Sequence, residues 1–343
     1  MTRHPYLKIL VLLCLLLVAT VLSSCQREAL NHQSVQPRNQ PGLHEQDIPS
    51  ASDPAVHGAA HQDDETQTQN KPSILRLMFV GDTMMTGNVA KVMDEKGNAY
   101  PLSELMPILE QADLVIANLE TSVGTSGHLE EKTYAFQTEP SRFELFAPLK
   151  GKLLFTLANN HGMDGPLDET LRTLDQLGYP YVGVGYHLEQ AFQPYVGQVN
   201  GVSFAVIGVS RVIPAVDWVA GETHPGMASA YADEPLLSTV ERWSTKVDHV
   251  IVYVHWGIEY TDTPDDVQLE LEKKLISAGA RLIIGSHPHV LQEIKWNDDK
   301  QLTAFSLGNF VFTTSTKELA NYTVALDIQL TPEGIANVKV WPA

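Results

Sequence analysis

Cysteine is nearly absent: the 343 residues hold two, Cys14 and Cys25, both near the N-terminus. This excludes a disulfide framework, a Cys-ligated zinc site and a thiol nucleophile from the rest of the chain. Cationic residues are also scarce. Lys plus Arg number 23 against 41 Asp plus Glu, a formal net charge of −18, so a phosphate backbone would repel the chain and nucleic acid is excluded as a partner. The uncharged run Ile9 to Leu22 is about 14 residues, short of the ~20 that span a bilayer as a helix. What is present is a globular balance, 43% apolar and 19% charged, in a length that allows one large domain or two ordinary ones. Thirteen histidines are left as the main source of chemistry.

Arg3 and Lys8 precede the apolar run, whose length fits the core of a signal peptide. It ends in Leu22-Ser23-Ser24-Cys25, which resembles the lipobox of bacterial lipoproteins. Small residues there fit the peptidase, and only a thiol accepts a diacylglyceryl group as a thioether. Acylation of the new N-terminus adds a further chain, as stable anchoring requires. The expectation is a signal segment at 1–24, lipid on Cys25, and a protein held at the extracytoplasmic face of the cell membrane. Residues 25–73 are rich in Gln, Asn, His, Pro, Asp and Ala and too poor in large apolar side chains to fold, so they read as a polar tether. His32, His44, His57 and His61 are scattered along it as solvated spacers. Residues 1–24 carry +2 and 25–73 carry −4, which leaves −16 on 74–343. The bulk field of such a domain does not draw an anionic polymer. An anionic substrate needs a local cationic feature, and metal ions are the obvious candidate.

From Ile74 onward short apolar runs alternate with amphipathic stretches. Ile74–Val80, Leu114–Ala117, Leu153–Ala158, Val202–Val209, His249–Val254 and Arg281–Ile284 have the length and composition of buried strands. Helical spacing predicts helices over Leu167–Leu177, Glu234–Lys246 and Val267–Ala278, with Gly178 and Gly279 placed to stop two of them. After Gly285 the pattern changes to hairpins: Val290–Trp296, Leu302–Ser306, Tyr322–Leu330 and Ile335–Val340, with turns at Asn297-Asp298-Asp299 and Pro332-Glu333-Gly334. No internal repeat and no second linker are visible. The reading is one mixed α/β domain over 74–343.

The informative positions are the strand ends. They read Gly81-Asp82, Asn118-Leu119-Glu120, Asn159-Asn160-His161, His255-Trp256-Gly257 and Gly285-Ser286-His287-Pro288-His289. Five strands each deliver a metal-capable side chain at the carboxyl end, where open α/β sheets bind ligands. Each piece alone is weak, since Gly-Asp and Asn-Asn are common turn signals, but the set is not. Gly183-Val184-Gly185 lacks the third glycine of a nucleotide loop, and Gly285-Ser286-His287 lacks the second glycine of a nucleophile elbow.

This order resembles the calcineurin-like metallophosphoesterase superfamily, and within it the CapA family of capsule and poly-γ-glutamate synthesis. The carrying motifs are Val80-Gly81-Asp82, Ala117-Asn118-Leu119-Glu120, Leu157-Ala158-Asn159-Asn160-His161, His255-Trp256-Gly257-Ile258-Glu259-Tyr260, Gly285 to Gln292 and Ser306-Leu307-Gly308-Asn309-Phe310, spread over roughly Leu75 to Phe312. The resemblance implies a four-layer αββα sandwich, two mixed sheets flanked by helices, with a dinuclear site at the sheet edge. Carried over by position, Asp82 and His289 hold one ion, Asn160, His255 and His287 the other, Glu120 bridges them, and His161 protonates the leaving group. Asn118, Asp164, Glu259, Tyr260 and Asn309 stand beside these as supporting or substrate-facing residues. Oxygen and imidazole donors without sulfur suit Mn, Fe, Zn or Mg. Three departures from ordinary phosphoesterases are shared by CapA-like proteins: Met84 where a histidine is usual, Glu120 where an aspartate is usual, and Gly162 where a carboxylate is common. The first leaves one ion with three protein ligands, so the expectation is one tight ion and a weaker second.

Two functions fit this reading. One is a metal-dependent hydrolase of phosphoester or polymer amide bonds in capsule or poly-γ-glutamate synthesis or export. The other is a non-catalytic subunit of a membrane capsule synthase that grips an anionic polymer through a degenerate metal site. The segment Thr121–Phe143, with Tyr134-Ala135-Phe136, reads as a loop at the edge of the site, either substrate wall or packing.

Overall fold

The computed structural model describes residues 73–297 and 300–343. The signal segment, Cys25 and the tether up to residue 72 lie outside the described residues, as do Asp298 and Asp299 of the expected turn.

The strands of the two main sheets are β1 (Leu75–Thr83), β2 (Leu114–Leu119), β3 (Leu153–Thr156), β4 (Tyr181–Val182), β5 (Tyr195–Val199), β6 (Val202–Ser210), β7 (His249–His255), β8 (Ala280–Ser286), β9 (Ile294–Asn297), β10 (Gln301–Ala304), β11 (Asn309–Val311), β12 (Val324–Thr331) and β13 (Gly334–Pro342). The main helices are α1 (Gly87–Lys96), α2 (Leu167–Leu177), α3 (Leu236–Ser244) and α4 (Asp266–Ser277). One seven-stranded sheet runs β13-β12-β1-β2-β3-β4, with β11 also paired to β1. A six-stranded sheet runs β9-β10-β8-β7-β6-β5. In both, the central strands are parallel (β1-β2-β3-β4 and β6-β7-β8-β10) and the outer hairpins antiparallel.

Alternation along the strands builds the layers. In β1, Leu75, Leu77 and Phe79 enter one apolar cluster while Met78 and Val80 enter another, as a period of two requires. The first cluster joins the two sheets, since Ile116 of β2, Val206 of β6, Ile251 of β7 and Ile284 of β8 share it. The second lies on the outer face of the larger sheet and takes in Val89 and Met93 of α1 and Leu171 and Leu174 of α2. On the outer face of the smaller sheet, Val240 of α3 and Leu275 of α4 cover Ile207, Val252 and Ile283. The result is the expected four-layer αββα sandwich.

α2 spans the expected residues and is stopped by Gly178 at φ 76°, a left-handed conformation that glycine adopts without a Cβ penalty. α4 begins at Asp266, one residue before the expected start, because Asp265 caps it. The Asp265 carboxylate accepts from Gln268 N–H (2.8 Å) while the Gln268 side chain accepts from Asp265 N–H (3.0 Å), a reciprocal capping box.

Several boundaries differ from expectation. The strand predicted over Leu153–Ala158 stops at Thr156, because Asn159 N–H turns back to Leu157 O (3.0 Å). The one predicted over Val290–Trp296 is a continuous strand only from Ile294; before it, Leu291 forms a single bridge to Leu307 and Gln292 N–H donates to Ser306 O at 3.1 Å. Others run past their predicted ends: β1 reaches Thr83, β2 Leu119, β6 Ser210, β7 His255, β8 Ser286 and β13 Pro342.

Candidate metal centre

The carboxyl ends of β1, β2, β7 and β8 and the turn after β3 converge at one edge of the two sheets. Asp82 lies inside β1, opposite Asn118 of β2 and Asn309 of β11, and the register shifts beside it on both sides. Gly81 makes this possible. A Cβ there would stand 1.9 Å from Gly308 O, the carbonyl that accepts the Asp82 N–H at 3.0 Å. The bulge aims the Asp82 carboxylate into the site, where bulges often re-aim functional side chains. On the facing sheet His255 pairs with Ser286, and Tyr253 donates to Val80 O at 2.8 Å, tying the sheets together beneath the site.

Two groups of donors result. Ligand atoms of Asp82, Glu120 and His289 all lie within 4.8 Å of one another, and so do those of Glu120, His255 and His287. Every one of these side chains is buried. Glu120 Oε1 is 3.8 Å from His289 Nε2 and 3.7 Å from His255 Nε2. Asn160 Oδ1 is 2.6 Å from His255 Nε2. The six residues carried over by resemblance as metal ligands therefore meet at one point. The supporting residues meet them too: Asn118 donates to Asp82 Oδ1 (2.8 Å), Asn309 Oδ1 faces His289 Nδ1 (2.9 Å), and the Tyr260 ring lies 5.9 Å from that of His289.

Glu120 carries the test of whether a cation fits. Its residue is fully buried, and neither carboxylate oxygen has a hydrogen-bond partner among the described residues. His287 Nδ1 is also buried and unpartnered. A buried carboxylate without partners is costly, and such groups are normally paired or coordinate metal. Burial, followed by the charge of Asp82, pushes Glu120 well above the usual carboxylate range. Burial opposes protonation of His289, yet Glu120 and Asp82 lift it to about 10, so this corner attracts positive charge. His255 and His287 are driven the other way, by burial and then by neighbouring histidines, His287 to about 4. They are neutral imidazoles at neutral pH, the form that ligates metal. The donor set fits divalent cations.

His161 follows the turn after β3. Its Nδ1 faces Asp164 Oδ2 at 2.7 Å, and its backbone N–H donates to Asn159 Oδ1 at 2.9 Å. Burial holds its pKa below the usual imidazole value, against the pull of Asp164. Two of its neighbours come from the segment Thr121–Phe143 expected at the edge of the site. Lys132, from the loop over 121–136, pairs with Asp164 Oδ1 and donates to Asn160 O at 2.6 Å. Phe136 N–H donates to Asp164 Oδ2 at 2.7 Å, and its ring lies 4.6 Å from that of His161. A single lysine in a polar loop carries no signal. Ser286, part of the Gly285 to Gln292 motif but given no role there, has its Oγ 3.0 Å from His255 Nδ1. Cys25 is outside the described residues.

The architecture and the buried donor cluster at its sheet edge define a four-layer sandwich of the metallophosphoesterase type. A solved structure of a hypothetical protein from Thermus thermophilus shares the fold, with a TM-score of 0.50 at 16% identity over 78% of this chain and 99% of that one. The chain belongs to the bacterial capsule synthesis protein family PGA_cap, whose family model matches residues 76–314. The PGA biosynthesis protein CapA of Bacillus subtilis is 33% identical over 245 residues, 70% of this chain and 63% of the relative. The capsule biosynthesis protein CapA of Bacillus anthracis is 32% identical over 265 residues, 72% of this chain and 62% of the relative. The chain thus spans about three-fifths of the length of these curated relatives. Among the described residues no helix is long and apolar enough to cross a membrane.

Proposed function

We propose that this protein is a metal-dependent hydrolase of phosphoester or polymer amide bonds that serves capsule or poly-γ-glutamate synthesis or export, lipid-anchored through Cys25 on the extracytoplasmic face. The observation that carries the proposal is the fully buried Glu120 carboxylate, unpartnered between two sets of histidine and aspartate donors. Asp82, Glu120 and His289 would hold one divalent cation, and Glu120, Asn160, His255 and His287 a second. When bound, such cations supply Lewis acidity to a phosphoryl or carbonyl oxygen.

The protein groups do the rest. Asn118 and Asn309 orient Asp82 and His289, as hydrogen bonds behind metal ligands generally do. Asp164 accepts the Nδ1–H of His161, fixes the ring and favours its protonated form, in which Nε2–H is the proton delivered to the leaving group. Lys132 neutralises Asp164 and pins Asn160 through its carbonyl, coupling the proton donor to the donor cluster. An anionic polymer such as poly-γ-glutamate is the proposed substrate or partner, within a membrane capsule synthase complex.

Met84 supports the other reading, a polymer-gripping subunit without catalysis. It is buried, its backbone N–H is on Val311 O (2.7 Å), and its thioether is a poor ligand for these cations. The deciding experiment is turnover of a phosphodiester and a γ-glutamyl amide by the metal-loaded protein, alongside metal content. Hydrolysis that His161→Ala depresses without changing metal content supports the enzyme. Full metal content with no turnover on either substrate, in a chain that still supports polymer production, supports the binding subunit.

A further inference from the structure

We propose that Glu259 is a metal ligand, a third carboxylate that closes the centre from its solvent side and gives the Asp82–Glu120–His289 cation a fourth protein ligand. The inference rests on the proposed metal centre and extends it to a residue outside both buried donor sets.

A third group of ligand atoms is present beside the two already described. One oxygen of Glu259 and one nitrogen each of His287 and His289 lie within 4.8 Å of one another. Glu259 is exposed while the two histidines are buried, so it approaches from the mouth of the site. The buried His287 Nδ1, which has no hydrogen-bond partner among the described residues, is on a residue of this same group.

The backbone is built to hold Glu259 there. Tyr260 N–H donates to Pro288 O at 2.7 Å, stitching the loop after β7 onto the His287-Pro288-His289 turn. Three non-glycine residues at this seam have positive φ: Tyr260 at 62°, His287 at 97° and His289 at 58°. Such conformations are unfavourable for residues with a side chain and persist only where the surroundings over-determine them. The Lys317 ammonium, 3.5 Å from the Tyr260 ring centroid, holds the loop further. The strain falls on the residues that bear, or adjoin, the three donors.

The need is equally specific. Without Glu259 one cation has Asp82, Glu120 and His289, and Met84 adds nothing. A third carboxylate restores four protein ligands and makes the set oxygen-rich, which favours hard divalent cations such as Mn2+ or Mg2+.

The test is Mn2+ titration of the metal-stripped protein, with free Mn2+ followed by electron paramagnetic resonance, for wild type, Glu259→Gln, Glu259→Ala and Asp82→Asn. Wild type is expected to bind two ions with unequal affinity. Both Glu259 variants are expected to weaken the looser site on the order of 10–100-fold while the tighter site stays within about twofold. Asp82→Asn should weaken the same looser site. Two wild-type sites that both Glu259 variants leave unchanged, or a loss confined to the tighter site, overturn the role of Glu259 alone. A wild type that binds no Mn2+ overturns the metal centre and this inference together.

Discussion

Replacing Lys132 with Met tests whether the loop over 121–136 is part of the catalytic apparatus. Asp164 is fully buried, and its Oδ2 already accepts from Phe136 N–H and faces His161 Nδ1, both at 2.7 Å. Lys132 is the partner of Oδ1, and its side chain is 24% exposed. Breaking a buried ion pair from one side costs about 3–5 kcal/mol. Water can reach the space left by a side chain that is partly exposed, so about 2–3 kcal/mol is expected here. At about 2–4 °C per kcal/mol in a domain of this size, the melting temperature should fall by roughly 5–10 °C. Asp164→Asn in the same background should recover part of the loss, with a coupling of about 1–3 kcal/mol in a double-mutant cycle from urea unfolding at fixed metal concentration. A structural lysine would do no more. A lysine that positions the proton donor also changes substrate preference: Lys132→Met should slow turnover of an alkyl phosphodiester far more than that of a nitrophenyl one, whose leaving group needs no proton. A loss under about 0.5 kcal/mol with additive double-mutant behaviour, or equal slowing on both substrates, would refute the coupling of Lys132 to His161.

Three other outcomes are expected. His161→Ala should keep metal content while lowering turnover by about 10²–10⁴-fold on a substrate with a poor leaving group, and parallel loss of metal would reassign His161 to ligation. Asp327 accepts two hydrogen bonds from Arg76 (2.9 and 2.6 Å) and one from Trp341 (3.2 Å), which hold its pKa below the usual range although burial opposes them. That stabilisation is complete above the unfolded-state pKa near ~4 and is lost as pH falls through the lower folded value. Asp327→Asn should therefore cost about 1.5–3 kcal/mol at pH 7, and the gap to wild type in urea midpoints should close toward pH 3; a gap independent of pH contradicts it. Fatty-acid labelling should mark the wild-type chain and not Cys25→Ser, and equal labelling of both would remove the lipid anchor.

Much of this was legible in the sequence because two local codes coincide. Unbroken apolar runs such as Leu77–Val80 and Val250–Val254, short, β-rich and bounded by turn residues, read as strands covered on both faces, while the packing of one sheet on the other came only with the family resemblance. Each run then breaks off at a residue too polar to bury without a partner. What was not legible depends on long-range contact. α1 buries only Val89 and Met93, too thin a stripe to declare a helix. β5 alternates between half-buried and exposed residues as an edge strand, and its pairing with β6 decides its conformation. Asp82 reads as a turn residue, and only the Gly308 carbonyl against Gly81 shows that it is a bulge within β1. Lys132 is 32 residues from Asp164 in sequence, and no pattern in the loop announces their contact.

Metal content of the purified protein, measured by elemental analysis for wild type and Glu120→Gln after equilibration with a divalent cation, tests the central claim most directly. Glu120 is the residue common to both donor sets. The account predicts wild-type protein carrying up to two ions per chain and Glu120→Gln losing affinity at both sites. A wild type that carries none, or a Glu120→Gln protein that binds as wild type does, would contradict it.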